Sequence, residues 1–218
     1  MVKPSLFINF SRPIIRIEYM DSYKTIASLS EGVYTEKRSK FLAFAIPVKT
    51  VEEVKQHVAD YQKRFYDARH VCYAYMLGHE RLNFRANDNG EPSGTAGKPI
   101  LGQINSNELT DILIIVVRYF GGVKLGTSGL IVAYRIAAAE AIAAAEIVEK
   151  TVDESVTFFF EYPFMNDVMR IVKEESPTIV NQGYDNDCSM TLSIRKDSMP
   201  RLRARLEKVT SLRFSEED

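Results

Sequence analysis

The sequence predicts an α+β fold in two domains, and three observations carry that reading. At 218 residues the chain suits one or two domains of about 100–150 residues each. Its charge balance shifts near residue 150: the first 150 residues carry 19 basic and 16 acidic side chains, the remainder 9 and 13. Beyond that point the segments run strand, helix, strand, strand, helix, the order of a small ferredoxin-like domain. The expected boundaries are an N-terminal extension over 1–20, a larger domain over 21–150 and a smaller one over 151–218.

Residues 24–31 and 39–48 read as strands, the second being aromatic and β-branched with partial alternation. EGVYTEKRS between them reads as a charged turn. Thr50 then caps a helix over about 51–66, with Glu53 three residues on completing a capping box and Val51, Val54, Val58 and Tyr61 at helical spacing. HVCYAYMLG (70–78) and LNFRAND (82–88) read as strands, followed by the polar, glycine-rich NGEPSGTAGKP and a short helical segment over 99–106. DILIIVVRYF (111–120) is a continuous apolar run that fits a strand buried on both faces. The alanine-rich stretch 127–150 reads as one long helix. The second domain follows as strand 155–162, helix 164–175, strands 178–184 and 188–195, helix 198–209 and a short tail.

Composition excludes several classes. The chain is 45% hydrophobic and 26% charged, ordinary for a soluble globular protein, and a formal net charge of −1 leaves no gross basic excess. Cys72 and Cys188 sit in no metal-ligand or disulfide-framework spacing, which fits a reducing cytoplasm. No apolar run approaches the roughly 20 residues needed to span a bilayer, so no membrane role is expected. Pro4, Asn9, Arg12 and Pro13 break up the N-terminal stretch, which does not read as a signal peptide; Met20 is the expected natural start, or residues 1–19 a loosely held tail.

Two glycine-rich segments carry the chemistry. FGGVKLGTSGLIVAY (120–134) leads from a buried strand into a helix N-terminus, where unpaired N–H groups and the helix dipole favour an anion. Thr127 or Ser128 is positioned to cap that helix, and Arg118 and Lys124 flank the loop with positive charge. The glycines at 121 and 126 have P-loop spacing, but Thr127 and Ser128 follow where Lys and Ser/Thr are required, so a P-loop NTPase is excluded. NDNGEPSGTAGKPIL (87–101) is a long irregular segment of the kind that carries function. Its Asp88 and Glu91 are placed to pair with Lys98 or Arg118, and two carboxylates are too few for a metal site.

These two segments resemble the signatures of the IMPACT/YigZ family: D-D-G-E-P-S-G-T-A-G-K-P for NDNGEPSGTAGKPIL (87–101), V-R-Y-F-G-G-x-K-L-G-T-G-G-L-V-R-A-Y for VVRYFGGVKLGTSGLIVAY (116–134). DSYKTI (21–26), SKFLAFA (39–45) and HVCYAY (70–75) add to the likeness, which extends from residue 21 to about 210. It implies a first domain similar to domain 2 of ribosomal protein S5 and domain IV of elongation factor G, and a second similar to an elongation-factor ferredoxin-like domain. It also implies translation-associated binding of RNA or the ribosome, an inference from fold likeness. Eukaryotic members restrain a translational stress kinase with help from an additional RWD domain; residues 1–19 are too few for one, so that role is not carried over. The chain departs from the pattern at Asn89, where an aspartate is usual, at Ser128, where a glycine is, and at Val132, where an arginine is.

Three functions compete. In the first, Lys98, Arg118 and Lys124 contact RNA phosphates with the backbone of Gly126, Thr127 and Ser128, supported by Asp88, Glu91, Gly94, Gly97, Gly121 and Gly122, while Tyr119 and Phe120 stack on bases. In the second, the chain is a phosphate- or nucleotide-dependent enzyme of the S5-like fold; KLGTSGL resembles the G-L-G-S-S stretch of small-molecule kinases. His70 is its best histidine candidate, no catalytic residue is assignable and no cofactor is indicated. In the third, the loops present Glu91, Lys98 and Lys124 to a protein partner and bind no ligand.

Overall fold

The apolar run becomes the central strand of a five-stranded antiparallel sheet. The computed structural model describes residues 22–184 and 187–215; the N-terminal extension and the expected start at Met20 lie outside them. The sheet is built from β2 (Ser30–Glu36), β3 (Ser39–Pro47), β4 (His70–Leu77), β5 (Asn83–Asn87) and β6 (Ile112–Tyr119), in the order β2-β3-β6-β4-β5. Both faces of β6 are covered. Ile112, Ile114 and Val116 point into one core and Leu113, Ile115 and Val117 into the other, all fully buried. Each such side chain contributes about 1.5–3 kcal/mol by leaving water.

The two faces differ in grain. On one, the small residues Ala43, Ala45, Cys72 and Ala74 let α2 (Gly97–Ser106) and α3 (Gly126–Ala143) lie close, with Ala133, Ala137, Ala138 and Ala141 of α3 in the same core. On the other, α1 (Val51–Arg64) packs through Val54 and Tyr61 against Phe44, Ile46 and Leu77. The Thr50 side chain accepts from the Glu53 N–H at 3.1 Å, and the Glu53 carboxylate accepts from the Lys49 N–H at 2.7 Å. The cap forms as read, with its return bond one residue further out.

A second core follows. β8 (Asp153–Phe160), α4 (Met165–Glu175), β9 (Thr178–Tyr184), β10 (Cys188–Arg195), α5 (Met199–Leu206) and β11 (Arg213–Phe214) run β-α-β-β-α-β, with sheet order β11-β8-β10-β9. Its interior holds Val156, Phe158, Phe160, Val168, Leu192, Leu202 and Leu206. Among the described residues no helix is long and apolar enough to cross a membrane.

Three expectations are corrected. The charged turn at 31–39 is mostly β2; as an edge strand it points Glu31, Val33 and Thr35 at solvent, so its alternation carries no apolar signal, and only Lys37 and Arg38 turn. The long helix stops at Ala143, and Ile147–Thr151 forms β7, antiparallel to β1 (Ser22–Ile26). There β-branched Ile147 and Val148 favour extension, and the β1 backbone supplies the partners that the helix would otherwise have provided. The tail contains β11, too short at two residues to show a period.

Replacing Thr50 by alanine should lower stability by about 1 kcal/mol, read as a shift in the urea midpoint at unchanged slope; an unchanged midpoint would show that the cap bond contributes nothing.

Candidate functional site

The alternation that buries β6 also delivers Arg118. It is the next residue on the face of Ile112, Ile114 and Val116, at the strand end, and is 5% exposed. Its guanidinium lies over two rings, Phe41 and Phe120, each centred 5.6 Å away. Nη1 donates to Glu91 Oε1 at 2.6 Å, and the same oxygen accepts from the Tyr134 hydroxyl at 2.9 Å. The Glu91 side chain is 3% exposed, so this is a buried ion pair joining the two glycine-rich segments. Arg118 Nε is buried with no hydrogen-bond partner among the described residues, which costs about 1–3 kcal/mol unless an acceptor arrives.

Two glycines in the second segment are required by geometry. A Cβ on Gly121 would stand 2.0 Å from the carbonyl carbon of Arg38, because the loop passes directly over the β2–β3 turn. Gly126, at φ +71°, makes the turn into α3. The helix begins two residues earlier than a cap at Thr127 requires, and three earlier than a cap at Ser128. Its N-cap is Leu125, with no side-chain cap bond and no acidic residue in the first turn, so Thr127 and Ser128 lie within that turn.

The first segment behaves differently. Asp88 Oδ1 accepts from the N–H groups of Ala96 and Gly97 at 2.9 and 2.8 Å, and Oδ2 from Gly94 at 2.8 Å. The N-terminus of α2 therefore already holds a carboxylate. Partial burial works to raise the Asp88 pKa; the bonds from Gly94, Gly97 and Ala96 and the charge of exposed Lys98 outweigh it and hold the carboxyl below its ordinary value.

A cavity of about 440 Å³ opens where the segments meet. Glu91 and Pro92 come from the first; Phe120, Lys124, Leu125, Gly126 and Thr127 from the second. Arg118 and Leu130 complete it together with Arg69, which the sequence reading missed. Its signal was register: His70 pairs with Arg118, and the Arg69 N–H donates to the Arg118 carbonyl at 3.2 Å, so Arg69 must sit at the same sheet end. Lys98 does not line this cavity, and Ser128 lines a separate hollow with Glu36 and Lys37. Gly122 is exposed on the loop. Of the two aromatics, Phe120 is 45% exposed, whereas Tyr119 packs against the α1-side core and donates to Asp67 at 3.0 Å.

Polar groups beneath the cavity are committed to structure. Burial, reinforced by Glu91 and Asp88 and only partly offset by the Tyr134 bond, pushes the Cys72 thiol up to about 12, so it stays protonated and donates to the Asp88 carbonyl at 2.9 Å. Burial likewise raises Tyr134. His70 Nδ1 donates to the Asn89 carbonyl at 2.8 Å, which leaves Nε2 facing Glu91 Oε1 at 3.8 Å. Asn89, at φ +40°, donates from its side-chain amide to the Val71 carbonyl at 3.0 Å; an aspartate there would have no hydrogen to give. Among the described residues no group of three or more His, Cys, Asp or Glu is arranged to hold a metal.

The family model of the Impact N-terminal domain matches residues 37–142, a span that contains both glycine-rich segments. The IMPACT family member YvyE of Bacillus subtilis is 32% identical over 155 residues, 71% of each chain. The chain belongs to the IMPACT family. A second member, YigZ of Escherichia coli, is 32% identical over 76% of this chain and 82% of its own. A crystal structure of a hypothetical protein superposes with a TM-score of 0.70 at 29% identity, covering 91% of this chain and all of that one.

Two outcomes follow from the pairings. Glu91→Ala strands Arg118 in the interior and should cost about 3–5 kcal/mol in denaturant titration; a cost below about 1 kcal/mol would mean the pair does not hold the segments. Because the folded pKa of Asp88 is depressed, its stabilisation is present above the unfolded carboxyl pKa of about 4 and is lost as pH falls through the folded value. Asp88→Asn should therefore be less stable than wild type at pH 7, with the gap closing on acidification; a gap independent of pH would contradict the assigned cause.

Proposed function

We propose that this IMPACT family protein binds RNA through the cavity between its two glycine-rich segments and acts in translation. The observation that carries the reading is the convergence of three cations, Arg69, Arg118 and Lys124, on an uncapped helix N-terminus beside an exposed aromatic ring. Helix N-termini and cations take phosphate; an exposed ring takes a base. Binding is favoured over covalent chemistry because the cavity's one carboxylate is tied to Arg118 and the nearby Cys72 thiol is protonated.

The proposal includes the fold assignments. The α2/α3 and α1 faces draw on residues up to 142 and the second core on residues from 156, which supports a division near residue 150. The β-α-β-β-α-β run with sheet order β11-β8-β10-β9 supports a ferredoxin-like second domain, and the family resemblance supports an S5 domain 2-like first domain and the link to the ribosome. Two buried free thiols fit a cytoplasmic setting.

The test is fluorescence anisotropy of labelled single-stranded RNA across a salt series. Affinity should fall with salt, and the Arg69→Ala/Lys124→Ala variant should bind more weakly with a log–log slope flatter by about 1.4, or about 0.7 per phosphate contact. Binding that ignores salt, or that the double variant leaves unchanged, would refute the site.

A further inference from the structure

We infer that the cavity takes a nucleotide bearing a phosphomonoester, such as the 5′-monophosphate end of an RNA, rather than an internal stretch of strand. This rests on the RNA-binding reading of the same cavity and names its ligand.

Glu91 is matched by Arg118, so the surplus positive charge at the cavity is that of Arg69 and Lys124, to which the uncapped α3 N-terminus adds. An internal phosphodiester carries one negative charge. A phosphomonoester carries about 1.5–2 at pH 7, because its second pKa is about 6. The doubly charged group is the better match.

Hydrogen-bond demand points the same way. Arg118 is 5% exposed and its Nε–H has no partner, while Nη1 is held by Glu91. Its guanidinium is therefore held in place in the cavity wall by the Nη1 bond, its charge already positioned for the several oxygens of a terminal phosphate. α2 offers no comparable opening, since Asp88 occupies its N-terminus.

Shape and apolar lining supply the rest. About 440 Å³ is at the smaller end of single-ligand pockets, room for one nucleotide rather than a run of them. Phe120 presents one ring face to Arg118 and leaves the other to stack on a base, and Leu125, Leu130 and Pro92 line the remaining wall. The same chemistry is available from a free nucleoside monophosphate, so the experiment separates the two sources.

The full chain is titrated with one 3′-labelled single-stranded RNA in 5′-phosphate and 5′-hydroxyl forms and, separately by calorimetry, with adenosine 5′-monophosphate and adenosine, which also serve as competitors against the RNA. The 5′-phosphate form should bind at least about tenfold tighter, a difference of about 1.4 kcal/mol, and the monophosphate should compete where adenosine does not. Lys124→Ala, at an exposed position, should shrink the difference between the two ends. Arg118→Lys, which keeps a cation against Glu91 and removes the planar guanidinium, should do the same once its melting temperature confirms folding; if it does not fold, Lys124→Ala carries the test. Equal, salt-sensitive binding of both ends would overturn the phosphomonoester inference and leave RNA binding standing. Binding of the monophosphate without either RNA would uphold the inference with a free nucleotide as its source and overturn the RNA reading. Binding of none of them would overturn both.

Discussion

The buried pair between Glu91 and Arg118 is the constraint on which the site depends. Glu91 lies in the irregular segment before α2 and Arg118 at the end of β6, 27 residues later, and the 2.6 Å contact sets the distance between the two glycine-rich segments. Taking both charges out of water is costly, and such a pair persists only when further contacts satisfy it. Here the Tyr134 hydroxyl donates to the carboxylate, and the guanidinium lies over two aromatic rings. The cavity is the space left beside a joint that the rest of the sheet holds rigid.

The two glycine-rich segments then divide their roles. Each leads into a helix, and each helix has the same need for negative charge at its start. The first meets it internally through Asp88. The second brings no carboxylate and no side-chain cap, and it adds Lys124 instead. Closure at one and openness at the other convert two similar loops into a wall and a mouth. Gly121 makes that arrangement possible, since its loop can pass over the backbone of Arg38 only without a side chain.

Much of this was legible in the sequence. The continuous apolar run of β6, the Thr50 cap and the signatures around Glu91 and Lys124 announced the central strand, α1 and the two loops. Local pattern failed where tertiary context decided. β2 hides behind the exposed polar side of an edge strand, and β7 follows an alanine-rich helix whose end only the pairing with β1 marks. Thr127 and Ser128 have the side chains of caps, but the helix takes Leu125 as its N-cap, two and three residues before them, with the turn made at Gly126, where φ is positive. Arg69 was missed for a different reason: it stands 18 residues before the 87–101 segment and outside both glycine-rich segments, and sheet register alone brings it beside Arg118.

The most direct test of the central claim is amide chemical-shift mapping of the labelled protein with a short single-stranded RNA. Shift changes concentrated at Glu91 and from Phe120 to Leu130, with β9, α4 and α5 unmoved, are the predicted result. Changes centred on the second core, with the cavity silent, would contradict it.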